Sequence, residues 1–340
     1  MSVVIPTALR VQPGWTETLT ERDRHHSTTI KQCNRKKVQR FTKHNERRGL
    51  PDMKDLNYDL KKLCHRYREG SFATYADRER ILDLIANQLQ GLGFKALRAM
   101  NLKPRHVDAL VAHWHKERIS AGTFKNRMSA LRWYADKIGK VDMIARSNDA
   151  YGIPERVYVT NVSKAVSLDI QKLERVTDPY TAFSLKLQAA FGLRREESIK
   201  IEVAWADRGD RLVLRDSWTK GGREREIPIT SIEQRELLNS VKGFAGSGSL
   251  IPKDLTYIEQ RRRFEHQCNS AGIQKVHGIR HCYAQTRYEQ LTGWACPARG
   301  GPTSKQLSAE QKSIDHAVRL TLSRELGHER EQIAAVYLGR

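Results

Sequence analysis

From residue 54 to about residue 140 the apolar residues return every three or four positions, and they do so in four successive runs. Leu56, Leu60, Leu63, Cys64 and Tyr67 form the first. Ile81, Ile85 and Leu89 form the second, which starts after "FAT" and stops at "GLGF" (91–94). Val107, Leu110, Val111 and Trp114 follow Pro104, a residue tolerated in a first helical turn. Phe124, Met128, Leu131, Ala135 and Ile138 complete the set, beginning after Ser120 or Gly122. This is the period of helices with one buried face, and a half-buried strand would alternate every second residue instead. A small helical domain is therefore expected. On the fourth run Lys125, Asn126, Ser129 and Arg132 share a different face, with Arg127 close by. A basic helix face is suited to solvent or to a DNA backbone or groove.

The pattern changes further on. Residues 146–166 mix turn formers with short β-branched runs and are expected to be a linker. A second domain, 167–340, opens with helices at about 167–177 and 180–192. Three strand candidates follow, "IKIEVAW", "RLVLRD" and "REREIPIT", with "DRGD" and "TKGGR" as turns. The remainder is predicted helical, with a polar interruption at 291–311. The expected fold class is mainly α with a small antiparallel β-sheet. The helical domain is assigned to 51–145. Residues 1–50 are expected to be a basic arm. Within it Lys31, Arg35, Lys36, Lys37, Arg40, Lys43, Arg47 and Arg48 face the single acid Glu46 of 31–49, which suits a solvated tail or an arm lying on DNA.

Charge narrows the function classes. With 60 Lys and Arg against 39 Asp and Glu, the 340-residue chain carries a formal +21. Such a chain is attracted to polyanions, nucleic acid first and an anionic membrane surface second. No run approaches the roughly 20 apolar residues of a spanning helix, and "MSVVIPTALRVQPGW" lacks the plan of a secretory signal. The five cysteines, Cys33, Cys64, Cys268, Cys282 and Cys296, are odd in number and never spaced C-x-x-C. Reduced thiols in a cytoplasmic protein are expected. Cys268, His281, Cys282 and Cys296 match no standard zinc spacing, so no metal is expected.

Five short motifs then occur in order. "FGLRREE" spans 191–197, "TKGGREREIP" spans 219–228, "HGIRH" spans 277–281, "LGH" spans 326–328, and Tyr337 follows nine residues after His328. Together they resemble the catalytic boxes of the tyrosine recombinases, the phage-integrase family. The resemblance covers the whole second domain and implies a tyrosine-recombinase catalytic domain there. More loosely, the helical domain resembles the family's α-helical core-binding domain. It implies Arg194, Lys220, His277, Arg280 and His328 as catalytic residues, Tyr337 as nucleophile, and Glu197 as the acid that fixes Arg194. It further implies double-stranded DNA attachment sites as substrate and four protomers in a synaptic complex. Accessory DNA-bending proteins or an excision factor would be partners, and no cofactor is needed. DNA contacts are expected from Lys125, Asn126, Arg127 and Arg132, and from Arg35, Lys36 and Lys37 of the arm. The two domains would embrace the duplex from opposite faces.

The chemistry suits those residue types. A phosphodiester attacked by a side-chain oxygen develops charge that fixed cations must stabilise. Guanidiniums grip phosphate oxygens through paired hydrogen bonds. A phenol, ordinarily titrating near 10, needs such a pocket to become a nucleophile. The product would be a 3′-phosphotyrosine and a free 5′-hydroxyl, reversible without ATP or metal. A type IB topoisomerase would use similar residues, and a DNA-binding regulator could keep the fold alone. "HGIR" with "LGH", after a helical domain, favours the recombinase that integrates or excises a phage or other mobile element. Two departures carry expectations. Between Arg280 and His328 lie 47 residues, so 292–312 is expected to be a surface insertion. Only three residues follow Tyr337, so 292–312 is expected to replace the tail with which relatives contact a neighbouring subunit.

Overall fold

The computed structural model describes residues 55–340 except Glu329. The expected arm at 1–50, with Arg35, Lys36 and Lys37, lies outside the described residues. The described chain divides into two compact units between Arg156 and Val157.

The first unit is helical: α1 Asp55–Arg66, α2 Phe72–Gly91, α3 Pro104–Lys116 and α4 Ala121–Lys137. The apolar stripes close on one core in which Leu60, Ile85, Leu89, Leu110, Trp114, Met128 and Leu131 are all buried. Two starts are fixed by side chains. Ser71 accepts from Thr74 N and Ser120 from Thr123 N, each satisfying one of the orphan donors of a helix N-terminus. The Ser71 cap starts α2 at Phe72, earlier than the apolar pattern indicated. Leu82 rather than Ile81 takes the fully buried place.

The second unit begins with α5 Ile170–Glu174, α6 Pro179–Phe191, α7 Arg195–Lys200 and α8 Val203–Ala206. Strands β1 Arg211–Leu214 and β2 Arg225–Pro228 pair antiparallel, with Arg211 opposite Pro228 and Leu214 opposite Arg225. Helices α9 Ile232–Ala245, α10 Tyr257–Ser270, α11 His277–Thr292, α12 Ala309–Glu325 and α13 Glu331–Leu338 complete it. One apolar cluster gathers around the sheet (Phe191, Leu193, Leu212, Leu214, Ile227, Leu238). A second gathers around α13 (Tyr288, Leu322, Leu326, Tyr337, Leu338). Helix α11 serves both the second cluster and a third, through Tyr283 and Ile279 respectively. Among the described residues no helix is long and apolar enough to cross a membrane, and no group of three or more His, Cys, Asp or Glu could hold a metal ion.

Two expectations fail for physical reasons. "IKIEVAW" is not a strand. Ile199, Ile201 and Val203 alternate as a strand would and are all buried, but they belong to the end of α7, one extended residue and the start of α8. Glu197 accepts from the backbone N–H of Arg194, and that cap starts a helix where β propensity pointed to a strand. The second failure is 292–312, which is not simply a surface insertion. Cys296, Pro297, Ala298 and Leu307 are buried, and a 3-10 turn at Pro297–Arg299 packs against α13. Its polar composition hides a few small apolar residues that serve the core.

Candidate active site

Helix α6 ends at Gly192, whose φ of +59° is left-handed. A Cβ there would lie 2.3 Å from the Tyr283 ring, so both conformation and space demand glycine. The reversal turns Arg194 inward at the N-cap of α7. Its Nη1 donates to Glu197 Oε1 at 2.7 Å, and its Nη2 reaches Leu326 O and His328 Nε2, both at 3.2 Å.

Glu197 is fully buried. Its other partner is Arg225, whose Nη1 and Nη2 donate to Oε1 and Oε2 at 2.9 and 2.7 Å. Burial pushes the Glu197 carboxyl up, but Arg225, Arg194 and Arg280 outweigh it and hold the pKa below the usual range. Burial lowers Arg225 to about 10, so it stays charged at neutral pH. Nothing in the motifs pointed to Arg225. The signal was its place in β2, where Arg225 and Ile227 face inward and Glu226 outward. An inward arginine on a strand requires a buried acid.

Arg280, on α11, is 1% exposed. Its terminal nitrogens donate to the Gly192 and Leu326 carbonyls, and its Nε to the Tyr337 hydroxyl at 3.2 Å. Tyr337, on α13, is itself buried. His277 and His328 flank it, with ring centroids 6.2 and 6.4 Å from the phenol ring. Burial, then the charges of Arg194, Arg280 and Arg225, lowers His328 to about 4. His277 stands at the start of α11 and is lowered by burial and by Arg280 and Arg194. Both imidazoles are neutral at pH 7. Three guanidiniums against one carboxylate leave the pocket with two net positive charges, matched to the charge of a phosphodiester under attack.

Lys220 stands apart, exposed in the loop between β1 and β2. Gly221 and Gly222 follow it at φ +96° and +64°. With Arg194 and His277, Lys220 lines a groove of about 830 Å³. The structure thus brings Arg194, Glu197, Arg280, His328 and Tyr337 into contact, with His277 beside them and Lys220 at the rim. Motif reasoning also missed His281, whose buried ring packs 4.7 Å from that of Tyr337.

The DNA-contact candidates of α4 have different environments. Asn126 is exposed and Lys125 half-buried. Arg127 lies over the Trp114 ring at 5.3 Å, with Nη1 buried and unpaired. Arg132 donates to Ala145 O and Asn148 Oδ1, so its guanidinium ties down the chain beyond α4.

Comparison with known proteins gives two family matches. Residues 53–144 match the model described as phage integrase, N-terminal, and 155–286 the model described as integrase. No curated protein matches the chain. Among solved structures, the XerH site-specific recombinase bound to a palindromic difH substrate is similar at 14% identity. It covers 84% of this chain and 81% of that one, with a TM-score of 0.51. A lambda integrase dimer on a COC′ core site is similar at 15% identity over 83% and 78% of the two chains, with a TM-score of 0.53. A lambda integrase tetramer on a Holliday junction gives 15%, 85% and 80%, and 0.53. At these identities the likeness is one of fold.

Proposed function

Because the chain belongs to the tyrosine recombinase (phage integrase) family, site-specific recombinases by activity, we propose that it cuts and rejoins duplex DNA at attachment sites through Tyr337. The observation that carries the assignment is the Tyr337 hydroxyl lying 3.2 Å from Arg280 Nε, inside a pocket of three guanidiniums and one carboxylate.

In this reading Arg194 and Arg280 hold the scissile phosphate. Binding exchanges their present partners, the Leu326 carbonyl and the phenol, for phosphate oxygens. Tyr337 Oη attacks phosphorus and its proton passes to neutral His277. The new O–P bond replaces the P–O5′ bond, and the departing 5′ oxygen takes a proton from Lys220. His328 accepts from Arg194 through Nε2, so its proton sits on Nδ1, and it donates to a phosphate oxygen once the ring turns. Glu197 and Arg225 touch no substrate. They fix Arg194, and Arg225 links that arginine to the hairpin bearing Lys220. Rejoining is the reverse attack by a 5′-hydroxyl, which needs no energy source because the phosphodiester bond is conserved in the adduct.

The lambda integrase tetramer supports a four-protomer assembly. Integration or excision of a phage or other mobile element, with DNA-bending or excision partners, belongs to the same proposal. Lys125 and Asn126 on α4, and the arm with Arg35, Lys36 and Lys37, are proposed DNA contacts.

The test is covalent capture. Purified protein is incubated with sheared DNA of the organism that encodes it, then denatured, and DNA that stays attached is sequenced. Recovery of one recurrent junction is expected. Tyr337→Phe should bind the recovered sequence equally well and form no adduct. An adduct retained by that variant would overturn the assignment.

A further inference from the structure

Tyr337 is held at both ends, and only the contact at its hydroxyl enters the chemistry above. Its main-chain carbonyl accepts from Gln285 Nε2 at 2.9 Å. Gln285 is fully buried. Its Oε1 accepts from Ser163 Oγ at 2.9 Å, and Ser163 Oγ accepts from Ala165 N at 3.2 Å. Only one orientation satisfies this chain. A backbone N–H can only donate, so the serine hydroxyl gives its proton to the amide oxygen. The amide then presents its NH2 group to a carbonyl that can only accept.

The contact falls where a short helix needs help. A helix leaves its last four carbonyls without partners, and an eight-residue helix does not stand alone in water. Helix α13 has eight residues, and Tyr337 is its penultimate one. We propose that Gln285, oriented by Ser163, is a positioning residue that sets how deep the Tyr337 phenol reaches into the pocket. The geometry favours precision. Arg280 and Gln285 sit on the same helix, five residues or roughly 7.5 Å apart along its axis. One rigid element therefore grips the nucleophile by its hydroxyl and by its carbonyl. The His281 ring, between them in sequence, packs against the phenol face. His277, His281 and Gln285 recur every four residues, one stripe of α11 given to the nucleophile.

Helix α13 is also held through its buried Ala334, Ala335 and Leu338, and the chain just beyond it is anchored independently. Arg319 Nη1 donates to the Gly339 carbonyl at 2.9 Å, and Asn161 clasps the Arg340 backbone through two bonds of 2.8 Å. Loss of Gln285 therefore leaves α13 docked while removing the amide that fixes the Tyr337 carbonyl.

The inference rests on Tyr337 being the nucleophile. The test uses the full chain and a nicked duplex bearing the junction trapped by the wild-type protein, from which a cut strand cannot be rejoined. Gln285→Ala and the milder Ser163→Ala should keep DNA affinity within about twofold. Their single-turnover cleavage should fall by roughly 10- to 100-fold, the scale of a sub-ångström to ångström misplacement. Gln285→Glu supplies a readout that a merely structural role would not move. At pH 8 its carboxylate opposes the Tyr337 carbonyl, and cleavage should match the alanine variant. At pH 5 a protonated carboxyl can donate again, and its rate relative to wild type should recover while that of the alanine variant does not. Wild-type cleavage by both alanine variants, or no pH-dependent recovery of the glutamate variant beyond alanine, would overturn the proposal. If the wild-type adduct forms at a residue other than Tyr337, the nucleophile assignment fails and the positioning role falls with it.

Discussion

Replacing Glu197 with glutamine keeps the volume of the side chain and removes its charge. In the wild type that carboxylate meets Arg225 through two bonds, Arg194 through two more, and Arg280 Nη1 at 3.9 Å. Arg225 and Arg280 are buried, so Glu197→Gln leaves cations with no anion and little water. Removing one partner of a buried ion pair costs about 3–5 kcal/mol. For a unit of this size each kcal/mol moves the melting temperature by about 2–4 °C, so a drop of roughly 6–20 °C is expected. Scanning calorimetry of the full chain reads it directly. The pH dependence supplies the sign. The folded pKa of Glu197 lies below the 4.5 of a free glutamate, so its stabilisation is complete above about 4.5 and is lost as pH falls through the folded value. The gap between wild type and Glu197→Gln should hold from pH 8 to 5 and close below that. A gap under about 1 kcal/mol at pH 7, or one that widens in acid, would refute the reasoning.

Lys220→Ala should slow cleavage of an ordinary strand by about 10²- to 10⁴-fold, the usual worth of a general acid. Most of that loss should vanish with a bridging 5′ sulfur, which leaves without a proton; an equal loss on both substrates would remove Lys220 from the acid role. Cleavage by the wild type should persist in excess EDTA, since side-chain cations supply the charge. Loss of cleavage that magnesium restores, with the fold intact by circular dichroism, would assign the chemistry to a metal.

The helices of the first unit were legible because each stripe carries its own period, and the residues that set it, such as Leu60, Leu110 and Met128, are buried as expected. The candidate reactive side chains were legible for another reason. Their motifs resemble a known family in order and spacing, and contact follows for most of them. What stayed hidden was pairing across the chain. Arg225 sits among "REREIP", where charge alone looks like surface, and only its inward register on β2 reveals a partner 28 residues earlier. Gln285 looks like an ordinary helix glutamine until Ser163, 122 residues before it, fixes its amide. In "IKIEVAW" the alternation was real, but a local cap at Arg194 and Glu197 decided the conformation. Composition misled at 292–312 because Cys296 and Leu307 are few among polar neighbours.

The Asn161 clasp has a consequence in time. Asn161 and Arg340 are 179 residues apart, and their hydrogen bonds close the second unit into a ring of chain. A ribosome adding about 5–20 residues per second needs roughly 10–35 s to travel that distance. Within that interval Arg194, Lys220 and Arg280 are all made before Tyr337. In the proposed reading, the nascent chain therefore carries its phosphate-binding cations before it carries its nucleophile. Under the proposed roles, strand breakage waits until α13 seats against α11, so vectorial synthesis keeps the growing polypeptide chemically silent.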